Sequence, residues 1–141
     1  MNYLASQMKD DGTFGSSASA NSCAMVIVGL CAAGVNPDTD SRFVKNGVSA
    51  LDGLLSFALA DNSGFWYLDN TKRNEIATEQ GFRALIAASQ VAATGKAYNI
   101  YDFSLNAASR TPGRATGAGE VVTPSEPDTD QTITVYFTLK A

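Results

Sequence analysis

The sequence reads as an all-α chain of helical hairpins repeated about every 50 residues. Two observations carry this. Asp11-Gly12-Thr13-Phe14 and Ser63-Gly64-Phe65-Trp66 both set a glycine and an aromatic in a polar, acidic turn. Each turn follows a helix-like run, Tyr3 to Lys9 and Val48 to Ala60, and precedes a helix that opens on Ala and a polar pair. Those openings are Ala20-Asn21-Ser22-Cys23-Ala24 and Ala77-Thr78-Glu79-Gln80-Gly81. Gly12 and Gly64 are 52 positions apart and Ala20 and Ala77 are 57 apart, so the second unit holds a small insertion. A two-helix unit cannot bury its apolar face alone and must stack on a neighbour.

In chain order, Tyr3 to Lys9 is expected to be the end of a helix, and Asp10 to Ser19 a Gly/Ser-rich turn. Ser19 or Asn21 can cap the next helix with a short side-chain acceptor. That helix is expected to run to about Ala33 and stop at Gly34. Its Cys23, Ala24, Val26, Ile27, Val28, Leu30 and Cys31 cover nearly the whole circumference, as in an interior helix. Val35 to Asp40 is a loop, with Asp38 or Asp40 as cap for a helix over roughly Ser41 to Ala60. Phe43, Val44, Val48, Leu51, Leu54, Leu55, Ala58 and Leu59 recur there at spacings of three and four. Gly47 and Gly53 weaken it and are candidate break points.

Asp61 to Asn74 is a second, longer turn. The strongest helix of the chain follows, Glu75 to Ala93, ending near Thr94-Gly95. Glu75 and Glu79 sit in its first turns, where the helix dipole favours anions, and Glu79 and Arg83 are spaced to pair. Tyr98 to Phe103 reads as an extended or irregular docking segment. From Arg110 to Gln131 the chain becomes rich in Pro and Gly, a flexible linker. Thr132 to Leu139 alternates apolar and polar residues, a strand that needs a partner. The expected domains are therefore helical repeats over 1–109, a linker over 110–131, and the start of a truncated β-domain over 132–141, with the natural protein continuing past Ala141.

The charge of -4 argues against a nucleic-acid partner, which would want a basic face. No apolar run reaches the ~18 residues that would span a bilayer, so no membrane insertion is expected. There is no His, which removes the commonest general base and the Ser-His-Asp triad. Cys23 and Cys31, eight positions apart in one helix, would lie ~12 Å apart at a rise of ~1.5 Å per residue, too far to bridge. They read as buried thiols.

The order helix, Gly-x-aromatic turn, helix resembles the alpha-alpha toroid of the terpenoid cyclases and protein prenyltransferases. Gln7 followed by Gly12-x-Phe14, and Gly64-x-Trp66, are similar to the Gln…Gly-x-Trp repeat of the squalene and hopene cyclases, with Phe14 in place of Trp and Leu59 in place of Gln. Asp11-Gly12-Thr13-Phe14, Ala77-Thr78-Glu79-Gln80 and Tyr101-Asp102-Phe103 look more like the prenyltransferase-like repeats of large bacterial surface proteins. The resemblance covers roughly Met1 to Ser104. It implies an incomplete toroid of about two helical-hairpin repeats. The final strand resembles the first strand of the transcobalamin C-terminal β-domain.

The candidate chemistry is sparse. Pro37-Asp38-Thr39-Asp40 and Pro127-Asp128-Thr129-Asp130 fall short of the cyclases' Asp-x-Asp-Asp acid motif, since Ser41 and Gln131 follow. They read as a capping turn and a linker segment. Asp10, Asp11 and Asp61-Asn62-Ser63-Gly64 are oxygen-rich loops without regular calcium-ligand spacing. No position reproduces the prenyltransferases' Asp, Cys and His zinc set, so no catalytic residue, cofactor or metal is expected. Phe65, Trp66 and Tyr67 can wedge the turn against helices or stack on a sugar or corrinoid. With Glu79, Tyr98 and Tyr101 they are the candidate ligand-binding residues.

The expected function is a non-catalytic module of a bacterial surface or secreted protein, extracellular, working in adhesion or ligand capture. The alternative is a corrinoid-binding protein like transcobalamin, in which a toroid and a β-domain clamp cobalamin. A terpenoid cyclase or prenyltransferase fragment is a third reading. Two units leave apolar helix faces open, so self-association as a homodimer is expected.

Overall fold

The computed structural model describes residues 1–103. They form a helix-rich structure of four α-helices and one small two-stranded sheet. The expected linker over 110–131 and strand over 132–139 lie outside these residues.

Helix α1 (Asn2–Gln7) leads into a tight turn that closes with a bridge between Met8 and Phe14. The Asp11 carboxylate accepts from the Thr13 backbone N–H at 3.0 Å and from its hydroxyl at 2.6 Å, which fixes the turn. Helix α2 (Ala20–Ala32) then starts at Ser19, whose side chain accepts from the Ser22 N–H. Of the two expected caps, Ser19 is therefore the one used. The helix buries Cys23, Ala24, Ile27, Val28, Leu30 and Cys31 but leaves Met25, Gly29, Ala32 and Ala33 exposed, so its apolar circumference is not wholly interior. Both cysteines are buried and free, as expected.

The helix expected over Ser41 to Ala60 does not form as one element. Asp40 caps a single 3-10 turn over Ser41–Phe43 by accepting from the Arg42 N–H. A hairpin of β1 (Val44–Lys45) and β2 (Val48–Ser49) follows, with Val44 opposite Ser49. Only then does α3 (Ala50–Leu55) begin, under a capping box in which Ser49 and Asp52 satisfy each other's backbone N–H groups. The reason is Asn46-Gly47, with φ of 51° and 78°. Two central residues at positive φ make the mirror-image turn that joins twisted antiparallel strands. In this register Val44 shares a face with Ser49 and Val48 shares the other with Lys45, so the helical spacing of the two valines is coincidental and the Asn46-Gly47 turn overrides it.

Helix α3 is held by a close backbone approach. A Cβ on Gly53 would stand 2.1 Å from the Gly12 carbonyl oxygen, and one on Gly12 would stand 2.3 Å from that of Ser49. Gly53 is thus the point where α3 crosses the first turn. A second turn repeats the first: Ala58 bridges Phe65, and Asp61 accepts from the Ser63 N–H at 3.0 Å. Helix α4 (Glu75–Thr94) starts at Asn74, which accepts from the Ala77 N–H, and stops at Gly95 in the left-handed conformation.

The core joins α2 and α4. Asn21 near the start of α2 donates to Gln80 near the start of α4 at 2.9 Å, and Gly34 past the end of α2 meets Ala97 past the end of α4. The two helices therefore run parallel. The Tyr98 N–H donates to the Cys31 carbonyl at 2.9 Å and fastens the irregular segment after α4 to the end of α2.

Gly53→Ala should lower stability by about 1–3 kcal/mol in urea unfolding, the cost of overpacking. An open helix position would instead gain up to about 1 kcal/mol from losing the glycine. A gain at Gly53 would refute the close crossing.

The Asp40 carboxylate, hydrogen-bonded by the Arg42 guanidinium, is held down from 3.8 to about 2. A depressed folded pKa stabilises above the unfolded value, and that contribution is lost as pH falls from about 4 to about 2. Asp40→Asn keeps the cap and removes the charge. It should therefore be less stable than the parent at pH 5, with most of the gap gone by pH 2 and the rest closing below it, and the gap should also narrow in salt. A gap unchanged at pH 2 would count against the pairing.

Candidate functional site

The two turns are built alike, and their structural register corrects the one expected from sequence. Asp11, Gly12 and Thr13 correspond to Asp61, Asn62 and Ser63. Gly12 and Asn62 both have positive φ, at 78° and 58°. The bridged aromatics are Phe14 and Phe65, each 3% exposed, so Phe14 corresponds to Phe65 and not to Trp66. The Phe65 N–H donates to the Thr78 hydroxyl at 3.0 Å, and the Phe14 N–H donates to the Cys23 sulfur. Thr78 and Cys23 stand at the same place, four residues after the caps Asn74 and Ser19. The helix registers thus differ by 55 positions (Ser19 to Asn74), where the sequence suggested 57.

The insertion between aromatic and helix makes the second turn longer. Within it Asp69 accepts from the Thr71 N–H at 2.9 Å and from its hydroxyl at 2.5 Å. This repeats the Asp-x-Ser/Thr device of Asp11 and Asp61. The folded-over loop encloses an open cleft of about 370 Å³, lined by Leu59, Ala60, Asp61, Ser63, Asn70, Thr71 and Arg73. Leu59 and Ala60 supply apolar surface, and the others supply hydrogen-bonding groups. Arg73 also pairs with Glu75 at 2.6 Å.

The carboxylates of the second turn are held in their charged form. Hydrogen bonds from Ser63 hold the Asp61 carboxyl below its usual value, and those from Thr71, with Lys72 beside it, do the same for Asp69. Such carboxylates stay ionised and are weak proton acceptors near neutral pH. Burial pushes the Cys31 thiol up to about 11 and raises that of Cys23, so neither is a ready nucleophile. Among the described residues, no three acidic or cysteine side chains gather as a metal would require. No helix among them is long and apolar enough to cross a membrane.

The sequence-derived ligand residues do not converge. Phe65 is core, edge-on to Phe82 with ring centroids 6.2 Å apart. Trp66 is half-buried against Phe57, with centroids 4.7 Å apart. Tyr67 is exposed on the second turn. Glu79 pairs with Arg83 as its spacing suggested, and Arg83 lies over the Tyr101 ring at 5.3 Å, so the segment after α4 brings Tyr101 onto the Glu79–Arg83 pair of that helix. Tyr98 is half-buried and packed against the core. None of the six lines the cleft, whose Asn70, Thr71 and Arg73 the sequence reading passed over. The third Asp-x-Ser/Thr, Asp69-Asn70-Thr71, was the signal available for them.

Thr78→Val removes the acceptor for the buried Phe65 N–H and should cost about 1–3 kcal/mol in urea unfolding. Thr78→Cys, which copies the first unit, should cost less. Equal stability of Thr78→Val and the parent would remove this bond from the account.

The chain matches no family model, no curated protein and no solved structure.

Proposed function

We propose that this chain is a non-catalytic helical-repeat module of a bacterial surface or secreted protein, working in adhesion or ligand capture, with its helices forming part of an alpha-alpha toroid. The observation that carries this reading is the pair of equivalent units. Two parallel helices, α2 and α4, each begin after an Asp-x-Ser/Thr turn and each receive an aromatic backbone N–H on the fourth helical residue. Stacked units of this kind make a rigid frame with variable loops on one side, and loops on a rigid frame carry recognition.

The ligand class that fits the second turn is a glycan. Asp61, Asn70 and Arg73 offer an anion, an amide and a guanidinium around a partly apolar cleft, the mixture of acceptors and donors that hydroxyl groups use. The exposed Tyr67 in the same turn adds an aromatic face.

A glycan array probed with the full chain tests this. Binding should appear and fall at least tenfold in an Asn70→Ala, Arg73→Ala double variant, a loss of about 1.4 kcal/mol, while the helical circular dichroism stays unchanged. Failure to bind any glycan, or binding insensitive to both changes, would refute the glycan assignment. Co-elution with hydroxocobalamin on a sizing column would instead favour corrinoid capture.

A further inference from the structure

Aligning the units by their caps, Ser19 with Asn74, pairs each α2 residue with a residue of α4. Two pairs are buried in both helices: Cys23 with Thr78 and Leu30 with Leu85. The other positions exchange their burial. Ala24, Ile27, Val28 and Cys31 are buried on α2, while their counterparts Glu79, Phe82, Arg83 and Ile86 are exposed on α4. Conversely, Ala84, Ala87 and Ala88 are buried on α4, while their counterparts Gly29, Ala32 and Ala33 are exposed on α2.

This exchange has a simple geometric cause. Two parallel helices packed side by side use opposite faces, so α2 receives α4 on one face and α4 docks with the other. Each helix leaves open the face that its neighbour uses. The open face of α4 is of the receiving kind, and the open face of α2 is of the docking kind. Together they are the two halves of the contact the molecule already makes internally.

We infer that a second copy of the chain seats its α2 on α4 of the first, head to tail, placing Met25, Gly29, Ala32 and Ala33 against Phe82 and Ile86. The residues on each side suit this. Phe82 and Ile86 are 39% and 43% exposed, a large apolar surface for a helix face. Small residues on α2 allow close approach, as Ala84, Ala87 and Ala88 do in the internal contact. Helix α2 carries no charged residue, and on α4 Glu79 pairs with Arg83, against which the Tyr101 ring already lies, so no like charges oppose docking and the open apolar part of the α4 face is that of Phe82 and Ile86. The two faces differ, so the contact is heterologous and does not saturate at a dimer; it closes into a ring or extends as an open chain. The inference rests on the repeat correspondence of the proposed function but not on its ligand.

Light scattering on the full chain over a concentration series tests it, with Gly29→Arg and Ile86→Arg as variants. A side chain at Gly29 meets open space, and Ile86 is already partly exposed, so both variants keep the fold, checked by circular dichroism. Ala32→Arg, also on the exposed face of α2, is the second variant should Gly29→Arg lose structure. The parent should pass beyond the mass of two 14.8 kDa chains as concentration rises. Each variant alone should stay monomeric, and an equimolar mixture should form a one-to-one dimer, because each variant keeps the face the other has lost. A parent that stays monomeric, a mixture that does not pair, or a Gly29→Arg chain that dimerises as the parent does would each overturn the proposal. A monomeric parent together with an unstable Thr78→Val variant would show that the repeat correspondence stands and only the contact between copies is absent.

Discussion

Each of the two parallel helices is tied to an aromatic residue in the turn before it. The Phe14 and Phe65 backbone N–H groups are buried, and such a group must find an acceptor. Each finds it on the fourth residue of the following helix, the Cys23 sulfur or the Thr78 hydroxyl. That bond sets the axial position of the helix against its own turn. The ring of the aromatic then fills the core beside it, and Gly81 leaves the space that the Phe65 ring occupies. With both helices placed by the same rule, α2 and α4 come to lie parallel. Asn21 can then meet Gln80 at one end, and Tyr98 can reach the Cys31 carbonyl at the other.

The turns can specialise because the frame does not depend on their length. The second unit holds more residues between aromatic and helix than the first, yet its helix starts in the equivalent place. The added residues fold on themselves through Asp69 and Thr71 and make the wall of the cleft. The cleft therefore sits where the chain was free to change. The core contact between Gly12 and Gly53 sits where it was not, since any side chain there would overlap backbone atoms. The same logic separates Phe65, which is committed to packing, from Tyr67 two positions later, which faces solvent.

Among the described residues two units pack side by side, and the burial exchange between α2 and α4 shows which face each leaves open. One face offers small residues and the other offers Phe82 and Ile86, the same pair of surfaces that meet inside the molecule. The proposed adhesion or ligand capture would gain from the proposed linking of copies, since linked copies multiply weak sites.

Local chemistry was enough to place α4 within one residue at its end, together with the Glu79–Arg83 pair, an α2 cap narrowed to Ser19 or Asn21, the two buried thiols and the duplication of the turn. Caps, i to i+4 spacing and helix rise involve only neighbours in the chain, and those are written in the sequence. The hairpin at Asn46-Gly47 was also written there, in the Asn-Gly pair that takes positive φ at both positions, but the helical spacing of Val44 and Val48 pointed the other way although the hairpin puts them on opposite faces. The register of the repeat was misread by one residue at the aromatic and two at the helix, because matching letters favoured Trp66 over the residue that actually bridges. The cleft depended on how the loop after Phe65 folds back over Leu59 and Ala60, contacts between residues that no local rule connects. Which faces of α2 and α4 stay open was likewise decided only when the two helices packed, since both are apolar on more sides than one neighbour can cover.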